Sequence, residues 1–286
     1  MQFNRVHVEV TNICGLACSF CPPKTQGVKT MDLFFFEKVL QELHPFTKTL
    51  AFHLMGDPLT LSNLVSYLDL AQQYGFEVEL TTSGYYLAKT APEVLFHKAV
   101  RQLNISLNSY NKNSSNLSFD AYMEGVFLAC ESKLANYPKP FINLRLWNLD
   151  EELSEDIYNQ KLFEKLEHFF QTKIEINQGV KSFRLASKIL LNFDSYFEWP
   201  TLKNVDESHG FCYGLQSHIG ILADGRVVPC CLDGEGVMEL GNLHEKPLSE
   251  MLSSQRAEAI VTGFAKGIAV EELCRKCTYK ERFKKV

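Results

Sequence analysis

Apolar and polar positions follow two periods along the first 178 residues, and the two periods alternate. Six segments with strand-like patterns are predicted, over residues 3–10, 49–54, 76–81, 103–107, 141–147 and 173–176. Helical patterns lie between them, one with Asp32 as its N-cap and the others over residues 62–74, 92–100, 119–135 and 151–170. The pattern therefore predicts six consecutive strand–helix units.

This alternation predicts an α/β fold with a parallel sheet and right-handed crossovers. Eight strand–helix units would close a full barrel, so six predict a partial (β/α)6 TIM-type barrel over residues 1–178. In that architecture the chemistry lies at the carboxyl ends of the strands.

The pattern changes after the predicted barrel. Residues 179–210 are less regular and contain the aromatic patch Tyr196, Phe197 and Trp199, so we interpret them as a linker along the barrel edge. Two strand-like runs flank Asp224–Gly225, a dipeptide typical of a β-hairpin turn. Helical runs follow from about residue 248 to 255 and on to 266. We expect residues 211–286 to form a small domain of a β-hairpin plus helices.

Composition narrows the possible partners. The 286 residues include 45% hydrophobic residues, enough for a full core, and the formal net charge is −5. Without a long basic run, nucleic acid is not an expected partner. No apolar stretch approaches the roughly 20 residues that span a bilayer, and residues 1–10 are unlike a signal peptide, so we expect a cytoplasmic protein with no membrane partner. The basic run from Lys280 is interpreted as a solvated terminus.

Nine cysteines need an explanation, because disulfides are rare in a reducing cytosol and an odd number cannot all pair. Cys130 lies alone in the helical run 119–135, and we interpret it as a core residue. The other eight form two groups. The first comprises Cys14, Cys18 and Cys21; the second comprises Cys212, Cys230, Cys231, Cys274 and Cys277.

The first group has the spacing C-x3-C-x2-C in one loop after the first predicted strand. Three thiolates can hold three irons of a cubane and leave the fourth iron open to a small chelating molecule. Iron–sulfur clusters favour such closely spaced cysteines. Structural zinc is the competing interpretation, although it usually takes four ligands in two pairs.

At these residues the chain resembles the radical S-adenosylmethionine superfamily. Val8-Glu9-Val10-Thr11-Asn12 is similar to the family's first strand and its entry to the cysteine loop. The resemblance implies a [4Fe–4S] cluster on Cys14, Cys18 and Cys21 that binds S-adenosylmethionine, with Phe20 near the adenine. It also implies reductive cleavage to a 5′-deoxyadenosyl radical, which abstracts hydrogen from a substrate.

Further motifs extend this resemblance. Met55-Gly56-Asp57-Pro58 is similar to the family's Gly-Gly-Glu-Pro segment, with Asp57 in place of Glu. By the same resemblance, S-adenosylmethionine contacts are implied for Gly56, Asp57, Ser83, Ser106, Asn108 and Arg145. The period of two is expected to turn Ser106 and Asn108 to the same face. Arg145 suits a carboxylate if it points inward, and a solvated strand end is the alternative. His53 could face the same interior or be a core histidine.

The second group can supply four thiols to one metal site: Cys212, one of the two hairpin cysteines, and both cysteines of the Cys274–Cys277 knuckle. By spacing alone they suit either structural zinc or a fully ligated cluster. Residues 211–243 resemble the SPASM/twitch extension of the superfamily, which implies one auxiliary [4Fe–4S] cluster on Cys212, Cys230, Cys274 and Cys277. Cys230 and Cys231 are alternatives for one ligand position. The Gly-x4-Cys spacing from Gly225 favours Cys230.

Two functions are consistent with these features. The first is a radical enzyme that abstracts hydrogen from a peptide, a protein side chain or a small metabolite, with a flavodoxin or ferredoxin as the expected electron donor. Its auxiliary cluster either takes an electron from the substrate radical, which gives net oxidation, or ligates the substrate directly. The second is a non-catalytic iron–sulfur protein for electron transfer or binding, with structural zinc in its C-terminal site. Residue type alone offers four candidates for a general base: Asp57, Asp120, Asp194 and Asp233.

Overall fold

A computed structural model describes residues 2–113, 116–148, 155–175 and 180–283. Within these ranges the strands are β1 (Arg5–Val8), β2 (Thr49–Phe52), β3 (Glu77–Thr82), β4 (Val100–Ser106), β5 (Phe141–Leu146), β6 (Ser182–Ala186), β7 (Ile189–Phe193), β8 (His218–Ile221), β9 (Arg226–Val228) and β10 (Gly241–Asn242). The helices are α1 (Leu33–Leu43), α2 (Leu64–Gln73), α3 (Pro92–Leu95), α4 (Asn108–Asn111), α5 (Phe119–Asn136), α6 (Asp156–Phe170), α7 (Leu248–Leu252), α8 (Gln255–Ala265) and α9 (Glu272–Arg275).

The strands form a single sheet in the order β10-β9-β8-β1-β2-β3-β4-β5-β7-β6. The seven strands from β8 to β7 in this order are mutually parallel, and β9 and β6 flank them in antiparallel orientation. The six barrel strands are β1 to β5 and β7, and the sheet stays open at β10 and β6. The predicted α/β partial barrel is confirmed.

The outer face of the sheet carries the apolar core. Phe52 of β2 packs against Phe36 of α1 with ring centroids 5.7 Å apart, and Phe36 contacts Tyr67 of α2 at 5.2 Å. Cys130 on α5 is fully buried, as predicted for a core residue. Because this face is apolar on every parallel strand, the inner face is free to carry polar side chains.

Local sequence signals fix several helix boundaries. The Asp32 carboxylate accepts a hydrogen bond from the Phe35 backbone N–H at 2.8 Å, which confirms Asp32 as the N-cap of α1. The helix predicted over 92–100 is too long, because α3 ends at Leu95 and β4 begins at Val100. Pairing of Val100 with Val78 of β3 places it in the sheet. The helix predicted over 151–170 is observed as α6, and residues 151–154 lie outside the described ranges.

The sixth barrel strand is not where the sequence pattern suggested. The strand predicted over 173–176 is wrong: residues 172–175 form no strand, and Ile176 lies outside the described residues. Instead β7 pairs in parallel with β5, and β6 forms a hairpin with β7. Both strands lie inside the segment interpreted as a linker. Ile189, Leu191 and Phe193 are buried at every second position, so β7 completes the core next to β5.

The C-terminal hairpin forms as predicted, with β8 and β9 antiparallel around Asp224–Gly225. Gly225 has φ +86°, a backbone conformation that favours glycine at this turn. β8 also pairs in parallel with β1, from Arg5–His218 to Val8–Ile221, so the hairpin extends the barrel sheet. Helices α7 and α8 match the two predicted helical runs. Across the described ranges, every helix falls short of the length and apolar character that crossing a bilayer requires.

The place of β7 in the core can be tested with a pair of leucines. Leu191→Ala should lower the free energy of unfolding by about 2–5 kcal/mol, because it opens a cavity beside β5. Leu202→Ala, at an exposed position in the same predicted linker, should change it by less than about 0.5 kcal/mol. Urea denaturation followed by circular dichroism measures both. Equal midpoints for the two variants would contradict the packing of β7.

Candidate functional site

The first cysteine loop begins where β1 ends, at the carboxyl edge of the parallel strands. Cys14 is half-buried, Cys18 is buried and Cys21 is exposed. The Cys21 backbone N–H donates to the Cys18 carbonyl at 3.0 Å, so the last two cysteines share one tight turn. The loop thus presents three thiols of graded exposure at the edge where a barrel of this type carries its chemistry.

Two residues outside the motif hold this loop in place. The Asn113 side chain accepts a hydrogen bond from the Ala17 backbone N–H at 3.0 Å and donates to the Cys18 sulfur at 2.7 Å. The Tyr86 hydroxyl donates to the Cys14 carbonyl at 2.8 Å. Sequence reasoning missed both, since neither lies in a recognisable motif. Their only signal was a position just after a predicted strand.

The thiols differ in their readiness to ionise. A hydrogen bond from the Cys21 thiol, supported by Asn113, lowers the pKa of Cys18 to about 7. The same hydrogen bond raises the pKa of Cys21. Burial, followed by the charge of Asp57, raises the pKa of Cys14 to about 11. A thiolate therefore forms most readily at Cys18, and thiolates are the form that binds metal.

Gly56 lies directly against the start of the cysteine loop. A Cβ atom at this position would stand 1.9 Å from the Thr11 carbonyl oxygen, so only glycine fits. The next backbone N–H, that of Asp57, donates to the Ile13 carbonyl at 2.8 Å. Gly56 thus permits close backbone approach, as expected, and the partner in this structure is the loop itself. Its contact with S-adenosylmethionine stays a prediction.

The Asp57 carboxylate is fully engaged with protein donors. One oxygen accepts from the Leu59 backbone N–H at 3.0 Å. The other accepts from the Thr82 hydroxyl, the Ser83 hydroxyl and the Ser83 backbone N–H, each at 2.8 Å. Burial raises the pKa of Asp57, and these hydrogen bonds oppose that rise. Asp57 therefore ties the end of β2 to the end of β3, and Ser83 is fixed by it.

Ser106 ends β4, and the chain turns into α4 immediately afterwards. The prediction that Ser106 and Asn108 share a strand face is wrong for this reason, since Leu107 has helical dihedral angles and Asn108 begins α4. Asn108 is nevertheless buried at the same edge of the sheet. The Tyr122 hydroxyl lies near the Ser83 and Ser106 carbonyls, at 2.9 and 3.4 Å. Phe20 is half-buried, and its place near an adenine stays a prediction.

The inner face of the barrel is polar. Three imidazoles lie together there, with the His7 ring centroid 6.2 Å from that of His53 and 5.8 Å from that of His218. Arg5 forms an ion pair with Glu79 at 2.6 Å. The guanidinium of Arg145 stacks over Trp147 at 5.3 Å, and Arg145 lines the same cavity as the three histidines, so its inward orientation is the one observed.

A cavity of about 390 Å³ opens at these side chains. Burial lowers the pKa values of His53 and His218 to about 4, so both are neutral near pH 7. Burial likewise lowers the pKa of His7, whose Nδ1 has no hydrogen-bond partner in the described residues. The interior position considered for His53 is the observed one. His7 and His218 were missed, although His7 alternates with Val6 and Val8 along β1.

All five cysteines of the second group line this cavity. Burial raises the pKa of Cys230, and the charges of all four other cysteines of the group raise it further, so Cys230 lies among them. Cys231, by contrast, is close enough to Arg145 and Arg5 for their charges to lower its pKa, although burial raises it to about 11. The preference for Cys230 over Cys231 as the fourth member of the set with Cys212, Cys274 and Cys277 stays a prediction.

The four candidate bases are all engaged elsewhere. Asp57 accepts hydrogen bonds from the end of β3. Asp233 accepts hydrogen bonds from the Val237 and Met238 backbone N–H groups at 2.8 and 2.7 Å. Asp120 pairs with Lys165 at 2.8 Å, and Asp194 pairs with Arg282 at 2.7 Å. The residues that line the cavity include none of these aspartates. The structure therefore gives no support to an aspartate as the base.

A buried carboxylate and a set of polar contacts connect the first loop to the C-terminal hairpin. Glu9 accepts from the Met55 backbone N–H at 3.0 Å and from the Ala223 backbone N–H at 3.1 Å. Lys29 forms an ion pair with Asp224 at 2.5 Å. Gln26 accepts from Arg226 at 2.6 Å and donates to the Glu235 carbonyl at 2.9 Å. The two cysteine groups therefore belong to one connected structure.

The donor sets fit iron–sulfur clusters. The first loop offers three thiols, and both oxygens of the Asp57 carboxylate are engaged by protein donors. The second set offers four thiols around one cavity. Among the described residues, no group of three or more cysteine, histidine or acidic side chains converges closely enough to hold a single metal ion.

Two family profiles match this chain. Residues 8–155 match the Radical SAM superfamily, and residues 212–278 match the SPASM iron–sulfur cluster-binding domain. A curated GTP 3′,8-cyclase of Campylobacter fetus subsp. fetus (strain 82-40) is 27% identical over 140 residues, which span 44% of this chain and 42% of that relative. The matched region is thus less than half of the relative's length.

Solved structures share the fold over nearly the whole chain. BtrN in complex with AdoMet and 2-DOIA aligns with a TM-score of 0.62 at 16% identity, over 97% of this chain and 94% of that one. Streptococcus suis SuiB bound to S-adenosylmethionine aligns with a TM-score of 0.62 at 15% identity, over 99% and 75%. The anSMEcpe structure with bound AdoMet aligns with a TM-score of 0.62 at 12% identity, over 96% and 86%.

The barrel, its cysteine loop and the second cysteine group thus agree with the profile matches. The Radical SAM profile alone covers more than half of the chain. This membership implies an enzyme that uses a [4Fe–4S] cluster and S-adenosylmethionine, and the SPASM match implies auxiliary iron–sulfur binding. The chain belongs to the radical SAM superfamily and carries a C-terminal SPASM-type domain.

Proposed function

We propose that this enzyme oxidises a substrate bound in the cavity between the barrel interior and the second cysteine group. The observation that carries the proposal is the cavity itself. Its lining includes the three inner histidines, Arg145 and all five cysteines of the second group. A substrate held there would stand between the barrel lumen and the auxiliary cluster, as net oxidation through that cluster requires.

In this proposal Cys14, Cys18 and Cys21 hold the first cluster, and Cys212, Cys230, Cys274 and Cys277 hold the auxiliary one. When bound, the first cluster and S-adenosylmethionine supply a radical that abstracts hydrogen. Asn113 and Tyr86 fix the position of the loop, and Asp57 and Gly56 fix the strand ends beside it. Phe20, Gly56, Ser83, Ser106 and Asn108 remain proposed contacts of S-adenosylmethionine. Asp57 and Arg145 were also expected among them, but both oxygens of Asp57 bind protein donors and Arg145 lines the cavity, so we propose other roles for these two.

The size of the cavity limits the substrate. Its volume is about 390 Å³, and the proposed cluster ligands form part of its lining, so a bound auxiliary cluster takes up some of it and leaves a smaller space for substrate. It suits a small metabolite or a single side chain of a peptide. Among the similar structures, BtrN binds 2-DOIA, and SuiB has been crystallised with the precursor peptide SuiA. The neutral histidines can donate or accept hydrogen bonds, and we propose Arg145 as the group that binds a carboxylate.

A one-electron donor is needed for the first cluster, and we propose a flavodoxin or ferredoxin. Cys21 is the exposed member of the first group, so electrons have a short path from the surface to that loop.

We also retain the proposed division into a barrel over 1–178, a connecting segment over 179–210 and an auxiliary domain over 211–286. The connecting segment then contributes β6 and β7 to the barrel sheet.

Loss of one thiolate of the first cysteine loop should abolish the reductive cleavage of S-adenosylmethionine. Cys18→Ala should reduce 5′-deoxyadenosine formation at least about a hundredfold, because the cubane loses one of its three ligands. The assay is anaerobic reconstitution, reduction with dithionite and chromatography of the products. Cys130→Ala is the matched control, since this cysteine is buried in the core, and it should retain product formation. Equal product from Cys18→Ala and the wild-type protein would contradict the assignment of the loop.

Metal content separates an auxiliary cluster from structural zinc. The wild-type protein should contain about eight irons per chain after reconstitution, four in each cluster. Cys230→Ala should reduce this to about four, whereas Cys231→Ala should leave it near eight. Inductively coupled plasma mass spectrometry measures iron and zinc together. About four irons and one zinc in the wild-type protein would instead favour the zinc site.

A further inference from the structure

Lys280 is a buried lysine beside the cysteine knuckle. The sequence pattern suggested a solvated basic terminus from this residue onward, and for Lys280 that interpretation is wrong: only 4% of the residue is exposed. Lysine is almost never fully buried unless it is paired. Its burial three residues after Cys277 therefore needs a physical reason.

The ammonium group is fixed by the backbone of the knuckle. Its Nζ donates to the Arg275 carbonyl at 2.9 Å and to the Cys277 carbonyl at 3.1 Å. The aliphatic stem lies against Gly210, where a Cβ would come within 2.8 Å of the lysine Cδ. The glycine at 210 makes room for the stem, and the two carbonyls position the charge beside the Cys274–Cys277 turn.

Among the described residues no carboxylate oxygen forms an ion pair with this ammonium. Hydrogen bonds from His209 lower the pKa of Glu207, and the Lys280 charge adds to that effect, but Glu207 pairs with His209. The neighbouring Lys276 provides the contrast, because it pairs with Glu272 at 2.8 Å and also donates to the Leu202 carbonyl. Burying an ammonium that lacks a carboxylate partner is unfavourable for folding. An anion at the same place would offset that cost, and the thiolate-bound auxiliary cluster is the anion that the proposed function puts there.

We propose that Lys280 is a positioning residue that raises the reduction potential of the auxiliary cluster. The inference rests on the proposed function, since it requires a cluster at the second cysteine group. Reduction adds one electron and therefore one negative charge to the cluster. A fixed cation close to the cluster stabilises the reduced form more than the oxidised form, and net charge and hydrogen bonding are known determinants of cluster potentials. The substrate-derived electron would then be accepted more readily.

The midpoint potential of the auxiliary cluster tests this role. In the reconstituted full-length protein, the auxiliary signal is the electron paramagnetic resonance signal that persists in Cys18→Ala. Potentiometric titration of that signal should give a more negative midpoint in Lys280→Met and Lys280→Gln than in the wild-type protein. Lys280→Arg should restore the midpoint towards the wild-type value, because it returns the charge.

The double variant Lys276→Met/Glu272→Gln is the matched control, since it removes both members of an ion pair at the same knuckle and so leaves the local net charge unchanged; its midpoint should stay at the wild-type value. A full iron content with an unchanged midpoint in Lys280→Met would overturn the proposal. Loss of the cluster from Lys280→Arg together with the neutral variants would also overturn it, because geometry rather than charge would then be the requirement. Absence of an auxiliary signal from the wild-type protein would contradict the proposed function instead.

Discussion

The buried carboxylate of Glu9 joins the three segments on which the rest of the site depends. It lies where β1 ends and accepts backbone N–H groups from Met55, after β2, and from Ala223, after β8. Burial raises its pKa, and the two backbone donors oppose this rise. Since β8 is paired in register with β1, the same carboxylate fixes both the entry to the first cysteine loop and the turn of the C-terminal hairpin.

The parallel pairing of β8 with β1 has a consequence for the chemistry. It adds a seventh parallel strand to the six of the barrel, and the hairpin that follows carries Cys230 and Cys231 to the cavity. The inner face of β1 supplies His7 to the same cavity, beside His218 of β8. The barrel interior and the second cysteine group therefore share a wall, and their relative position is set by main-chain hydrogen bonds.

Much of this arrangement was predictable from local sequence. The alternating pattern predicted the strands β1 to β5. Asp32 predicted the start of α1, and Asp224–Gly225 predicted the hairpin. The place of β7 was missed because Ile189, Leu191 and Phe193 form a short run after an irregular stretch, and only pairing with β5 makes them a barrel strand. Asn113, Tyr86 and Lys280 were missed for a related reason. Their roles arise from contacts with residues distant in the sequence or from burial, which no local pattern reports.

The contacts of Gln26 and Lys29 with the hairpin also make the N-terminal and C-terminal parts of the chain depend on each other. Because Lys29 pairs with Asp224 and Gln26 contacts both Arg226 and Glu235, the segment after the first three cysteines is shaped to one particular hairpin. A recombination event that replaced the C-terminal domain with that of another superfamily member would separate these partners. A change on either side of this contact would therefore leave an ion pair or a hydrogen bond on the other side without its partner.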